Sequence, residues 1–205
     1  MEMADHYYSS EPGSSGEDRR IIADLRGRTF HFQADAGVFS KKGIDFGTRL
    51  LIETMILPEA GDILDLGCGY GPVGVVSAAV APECRVTMVD VNRRALELAR
   101  KNADTNGVAD RVEVLESDGF SAIQGRSFAT ILTNPPIRAG KKTVYRLFEE
   151  SAEHLLPGGE LWVVIRKQQG GASAREKLEH LFPQVELVTR KKGFWILRGE
   201  KGTER

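Results

Sequence analysis

The stretch "DILDLGCGYGPVGVVSAAVA", Asp62 to Ala81, changes pattern within a few residues. Ile63, Leu64 and Leu66 make a short apolar run with little alternation, as in a strand buried on both faces. Glycines follow, and then an apolar segment of helical length. The spacing predicts a strand over 62–67, a glycine turn, and a helix over 71–81. Gly69, Gly71 and Gly74 spell G-x-G-x-x-G, a pattern shared by several nucleotide-binding loops and by tight turns that hold no ligand.

Outward from this stretch the same alternation repeats. Strands are expected over Cys84–Asp90, Arg111–Asp118, Phe128–Asn134 and Glu160–Arg166. Helices are expected over Asn92–Gly107, Lys142–Leu156 and Ser173–Phe182, the second ended by Pro157-Gly158-Gly159. Such alternation means a parallel sheet covered by helices on both faces. The chain closes with "VELVTR" and "FWILRG" about a short "KKG" turn, which can only join antiparallel strands. Upstream, "DFGTRLLIETMIL" (Asp45 to Leu57) has helical spacing, with Asp45 as N-cap and Pro58 past the end. "RTFHFQADAGVF" (Arg28 to Phe39) reads as one or two strands. The Ser, Gly, Pro and charge content of Tyr7 to Arg20 points to a flexible N-terminal arm over residues 1–27, with one α/β domain over 28–205.

The net charge of −1 over 205 residues means that an anionic partner would have to meet a local basic patch. The longest apolar runs are too short to span a bilayer, and no signal peptide is readable at the N-terminus. Cys68 and Cys84 make no disulfide framework, and His6, His31, His154 and His180 are scattered, so no metal site is expected. The expectation is a reduced, cytoplasmic protein with no membrane partner.

Three acids stand at successive strand ends. Asp65 lies two residues before Gly67, close to where a dinucleotide's pyrophosphate would dock on the helix N-terminus. Like charges there would repel. The same carboxylate suits a ligand that carries an ammonium and a sulfonium, namely S-adenosylmethionine. Asp90, followed by Val91, is placed to accept ribose hydroxyls. Asp118, with the Gly119 backbone beside it, is placed to accept from an adenine amine.

"TNPPIRAGKK" (Thr133 to Lys142) ends the fourth expected strand. Pro135 and Pro136 cannot enter a sheet or helix interior, and they push Asn134 toward an extended conformation. The side-chain amide and the carbonyls are thereby held in fixed directions. Arg138, Lys141, Lys142 and Arg146 follow on the same edge, where Arg190, Lys191 and Lys192 are also expected; Lys41 and Lys42 precede the first long helix. These clusters would form a phosphate-binding rim if they converge.

"ILDLGCGYGPVG", "VTMVD", "LESDGF" and "ILTNPP", in this order, resemble the Rossmann-like class I S-adenosylmethionine-dependent methyltransferases. "DAGVFSKKGIDFGTRLLIE" with "TNPPIRAGK" is similar to the ribosomal small-subunit RNA guanine-N2 methyltransferases, especially their short single-domain relatives. The resemblance implies a seven-stranded sheet with an antiparallel last strand. It implies that Thr48, Asp65, Gly67, Gly69, Gly71, Asp90, Val91, Asp118, Gly119 and Asn134 contact the cofactor, Thr48 at its methionine end. It implies that Asn134, Pro135 and Pro136 are catalytic, the Asn134 side-chain oxygen and the Pro135 carbonyl each accepting an N–H of an amine conjugated to a π-system. Such positioning needs no strong base. The expected substrate contacts are Phe39, Ile137, Arg138, Lys141 and Lys142. Ile137 stands where many base-methylating enzymes carry an aromatic residue that stacks on a flipped base. The expected substrate is guanine N2 of ribosomal RNA. A glutamine side-chain amide of a protein fits the same chemistry, and a non-catalytic S-adenosylmethionine-binding assembly factor is the alternative of another class.

Overall fold

The alternation that begins at Asp62 builds a seven-stranded sheet. The computed structural model describes residues 19–35 and 43–203, so Phe39, Lys41 and Lys42 lie outside the described residues. Two strands come first, β1 (Arg19–Leu25) and β2 (Arg28–Ala34). The main sheet holds β3 (Gly61–Leu66), β4 (Cys84–Asp90), β5 (Val112–Glu116), β6 (Phe128–Thr133), β7 (Leu155–Arg166), β8 (Gln184–Lys191) and β9 (Phe194–Glu200). Their spatial order is β5-β4-β3-β6-β7-β9-β8. The parallel pairs are β3–β4, β4–β5, β3–β6 and β6–β7, while β9 runs antiparallel to both β7 and β8. This is the Rossmann-like methyltransferase arrangement, with the antiparallel last strand that the short final turn requires.

The helices are α1 (Phe46–Thr54), α2 (Pro72–Val80), α3 (Arg93–Thr105), α4 (Lys141–His154) and α5 (Gly171–Leu181). Alternate strand residues serve two cores. Ile63, Met88, Leu132, Trp162 and Ile196 face one cluster, shared with Leu51, Val75 and Leu96 of α1, α2 and α3. Leu64, Val89, Ile131, Val163 and Leu197 face the other, shared with Phe148 of α4 and Leu178 of α5. Both faces are covered, so the strands are apolar on both sides. Succession turns about β3: β4 and β5 build outward on one side, β6 and β7 on the other. Ligands of open α/β sheets bind in the crevice at that reversal, at the carboxyl ends of the strands.

Three expectations need correction. Residues 19–25, assigned to the flexible arm, form β1 and pair along their length with β2. The hairpin turn is Arg26-Gly27, with φ of 53° and 75°, the doubly positive turn that matches strand twist. The Arg26 guanidinium donates to the carbonyls of Ile52 and Met55, satisfying the C-terminus of α1, which stops at Thr54 and not at Leu57. The third concerns Pro157-Gly158-Gly159, which does not follow α4 as a loop but lies within β7. Leu155 pairs with Phe128, and the register then shifts before Glu160 meets Thr130. A Cβ on Gly159 would stand 2.8 Å from the Leu156 carbonyl oxygen and 3.0 Å from that of Ala129, so only glycine fits this irregular passage.

The hairpin is fixed to α3 by two asparagines one turn apart. Asn102 Nδ2 donates to Gln33 O and Tyr70 O, and its Oδ1 accepts from Gln33 N. Asn106 makes the matching pair with the backbone of His31. These side chains act as a surrogate strand on the free edge of β2. Asn102 is fully buried and also holds the carbonyl of Tyr70, inside the glycine loop. Asn102→Ala is therefore expected to leave buried backbone groups unpaired and to cost ~2–4 kcal/mol. Urea unfolding of the variant beside wild type measures this, and a loss below about 1 kcal/mol would mean that the braces are dispensable.

Candidate active site

The glycine turn after β3 shapes one wall of the crevice. Gly67, Gly69 and Gly71 have φ of 76°, 57° and 96°, conformations that L side chains rarely adopt. A Cβ on Gly67 or Gly69 would meet nothing within 4 Å, so the loop borders open space. Its backbone is tied to β4 on both sides: Gly67 N and Cys68 N donate to Val89 O, and Gly69 N donates to Asp90 Oδ2. The Cys68 thiol beneath is buried, and burial with Asp65 and Asp90 nearby pushes its pKa well up, so it is no nucleophile.

Asp65 is 2% exposed, and its Oδ2 accepts from Gly74 N at 2.8 Å. Gly74 lies in the first turn of α2, whose N-cap, Gly71, has no side chain to offer. The carboxylate thus takes the helix donor that a pyrophosphate would otherwise use, which argues against a dinucleotide. Burial pushes the Asp65 pKa up to about 7; the Gly74 N–H opposes this, and Asp90 adds to it. A desolvated carboxylate beside a second acid is relieved by a cationic ligand.

Asp90 uses Oδ2 for Gly69 N and Oδ1 for Asn92 N, which leaves each oxygen further acceptor capacity. Val91 beside it is 63% exposed. Asp118 follows β5 with its side chain 73% exposed, and its Oδ1 accepts from Arg146 at 2.8 Å. Arg146, which the sequence places in the basic rim, is instead neutralised by Asp118 and by Glu150. A Cβ on Gly119 would stand 2.7 Å from Glu150 Oε2, so the absent side chain makes room for Glu150.

Across the crevice, β6 delivers Asn134. Thr133 Oγ1 donates to Leu66 O, locking the ends of β6 and β3 together at the reversal point. Asn134 Nδ2 donates to Thr48 Oγ1 at 3.1 Å, over a separation of 86 residues. Thr48 is 7% exposed at the start of α1 and donates to Asp45 Oδ2 at 2.6 Å. Pro135 is buried. Pro136 has φ −76° and ψ 80°, and Ile137 N donates to Pro135 O, so the second proline sits at the centre of an inverse γ-turn. The Pro135 carbonyl keeps one lone pair for a further donor. Ile137 is half-buried and packs against the second core; Arg138 is exposed.

Several cations are paired, as in Arg93–Glu116, Arg126–Glu113 and Arg198–Glu186. Arg138, Lys141 and Lys142, which follow β6, and Arg190, Lys191 and Lys192, at the end of β8, make no ion pair with a described acid. Lys192 lies over the Phe46 ring at 4.9 Å, and Phe46 packs on Phe194 with centroids 5.6 Å apart. This aromatic pair and the part played by Asp45 escape a reading of the sequence. Asp45 reads there only as a helix cap, although its three-residue spacing from Thr48 is visible.

The family model of the methyltransferase small domain matches residues 29–198. The chain belongs to this family. It is 50% identical over 201 residues to the uncharacterized protein YbxB of Bacillus subtilis (strain 168), covering 97% of this chain and 100% of that protein. It is 42% identical over 132 residues to ribosomal RNA small subunit methyltransferase C of Haemophilus influenzae (strain PittGG), covering 62% of this chain and 39% of that protein. The chain thus spans about two fifths of the length of such ribosomal RNA enzymes. Among solved structures it superposes with TM-score 0.80 on the T. thermophilus 16S rRNA N2 guanine methyltransferase RsmC in complex with AdoMet and guanosine. That match has 25% identity and covers 89% of this chain and 50% of the other.

The crevice fits S-adenosylmethionine on its own features: a buried carboxylate, a second acid with spare acceptor capacity, and an open glycine wall. Asp65→Asn separates fold from function. In the folded protein the Asp65 pKa stands above its ordinary value of 3.8, so ionising it costs the native state increasingly as pH rises from about 4 to 7. The variant is expected to be more stable than wild type at pH 8, by up to about 4 kcal/mol, with no gain near pH 4. Its affinity for S-adenosylmethionine should fall at least tenfold. Wild-type affinity should also decline below pH 7, whereas the variant's should not. Calorimetric titration and thermal melts across this range check both; parallel pH profiles for the two proteins would refute the assignment.

Proposed function

We propose that this methyltransferase transfers a methyl group from S-adenosylmethionine to an exocyclic amine, guanine N2 of small-subunit ribosomal RNA. One juxtaposition carries the reading: a fixed Asn-Pro-Pro turn at the sheet's reversal point, flanked by cations that lack acidic partners among the described residues. When bound, S-adenosylmethionine supplies a methyl group on a cationic sulfur that leaves as a neutral thioether. The protein's own work is positional. Asp65 answers the cofactor's positive charge, Asp90 its ribose hydroxyls, and Asp118 with the Gly119 backbone its adenine edge. Thr48, Gly67, Gly69, Gly71 and Val91 complete that wall. Asn134 Oδ1 and Pro135 O accept the two N–H groups of the target amine. Its lone pair is delocalised into the base; two acceptors on one side turn that pair toward the methyl group, and the methylated nitrogen then gives up one proton to water. Pro136 holds the carbonyl in place. Ile137 packs on the base, and Arg138, Lys141 and Lys142 meet phosphates, joined by the cations of the β8–β9 turn.

The ribosomal RNA reading is supported by the small-subunit ribosomal RNA methyltransferases among the relatives and by the cationic rim. A glutamine amide would satisfy Asn134 and Pro135 equally but gives no reason for that rim. The test uses labelled S-adenosylmethionine with ribosomal RNA and with total protein from cells that lack this chain. Label is expected in RNA as N2-methylguanosine. At saturating cofactor, Asn134→Ala should lose turnover by about 100-fold or more, in line with other preorganised acceptor and donor sites. Lys141→Ala with Lys142→Ala should weaken RNA binding and flatten its salt dependence. Label in protein, with RNA binding indifferent to salt, would transfer the assignment to the amide.

A further inference from the structure

We infer that Asp45, outside the set assigned to cofactor or substrate, is a positioning residue that fixes which end of the Asn134 amide faces the reacting amine. The inference rests on the amine-methylation reading above and extends it to a residue that touches neither reactant.

An asparagine amide is nearly symmetric in shape but opposite in polarity at its two ends. Only one orientation serves here, since an NH2 turned toward a target amine would repel its N–H groups. The choice is made by a chain of three residues. Asp45 Oδ1 accepts from Thr48 N at 3.0 Å, and Asp45 Oδ2 accepts from Thr48 Oγ1 at 2.6 Å. A carboxylate only accepts, and a hydroxyl has a single proton. That proton is committed to Asp45, so the Thr48 oxygen can only accept on its other side. The Asn134 group that faces it at 3.1 Å must therefore be Nδ2, and Oδ1 is turned away toward the crevice. Thr48 is 7% exposed, so water does not readily offer an alternative partner. The direction of every bond follows from the single negative charge at position 45.

Asp45→Asn reverses the chain without removing a heavy atom. The substituted side chain still caps α1, because its amide oxygen accepts from Thr48 N and asparagine caps as well as aspartate. Its NH2 then faces Thr48 Oγ1 and donates to it. The Thr48 proton is driven toward Asn134, which must turn Oδ1 to it and present NH2 to the target. A second change at Asn134 completes the reversed chain. In Asp45→Asn with Asn134→Asp, the carboxylate at 134 accepts from Thr48 and still offers an acceptor oxygen to the amine. Asn134→Asp alone places two carboxylates about one hydroxyl proton.

The first experiment needs no substrate. In 15N-labelled protein, the Asn134 side-chain NH2 signals are assigned by their loss in Asn134→Asp. Wild type is expected to show one hydrogen-bonded, exchange-protected Nδ2 proton, and Asp45→Asn to lose that protection with the fold and melting temperature kept. Unchanged protection in Asp45→Asn would overturn the inference. The second experiment measures methyl transfer to ribosomal RNA from cells that lack the protein. At saturating cofactor, Asp45→Asn should lower turnover at least tenfold, and the double variant should be more active than either single one. Additive losses in the double variant would make Asp45 a helix cap only. If no RNA is methylated by wild type, the substrate reading fails while the amide signals still decide the inference.

Discussion

The hydrogen bond from Gly74 N to the buried Asp65 carboxylate is the constraint on which the rest depends. It joins the end of β3 to the first turn of α2 and so closes the glycine loop to a fixed shape. It also fills the anion position at that helix terminus with the protein's own carboxyl group. A loop of similar glycine spacing elsewhere receives a pyrophosphate; this one has a carboxyl in that place. The cost is a carboxyl whose pKa burial drives up to about 7. Stability is given up where the ligand's charge is to be met, a common arrangement at binding sites.

The second half of the crevice is assembled from distant pieces by short polar links. Thr133 ties β6 to β3, and Asn134 reaches Thr48 across the first core's edge. Asn102 holds both the β2 edge and the glycine-loop carbonyl of Tyr70. These links hold the site's polar groups in one arrangement, and catalysis by orientation depends on such placement. Around it stand the cations that follow β6 and those of the β8–β9 turn, without acidic partners among the described residues.

Much of this is legible in the residues alone. The buried strand with its glycines, the acids at successive strand ends and the Asn-Pro-Pro turn are local patterns with local causes. The final hairpin is legible because a short turn permits only one strand direction. What escapes is set by partners far away in the chain. β1 reads as a charged arm because its turn uses Arg26 at positive φ, a conformation that its residue type does not announce. Pro157-Gly158-Gly159 carries every sign of a loop, yet the sheet absorbs it as an irregular strand. Arg146 reads as a free cation because nothing near it in sequence announces Asp118. The chain from Asp45 through Thr48 to Asn134 exists only once α1, packed on β7, brings Thr48 to the residue that follows β6.

The central claim is that Asn134 and Pro135 present two acceptors to a planar amine. It is tested most directly by a crystal structure of the protein with S-adenosylhomocysteine and guanosine. The account predicts guanine N2 at about 3 Å from both Asn134 Oδ1 and Pro135 O, on the side from which the cofactor's sulfur is reached. A base seated with N2 turned away, or with another atom offered to the sulfur, would contradict it.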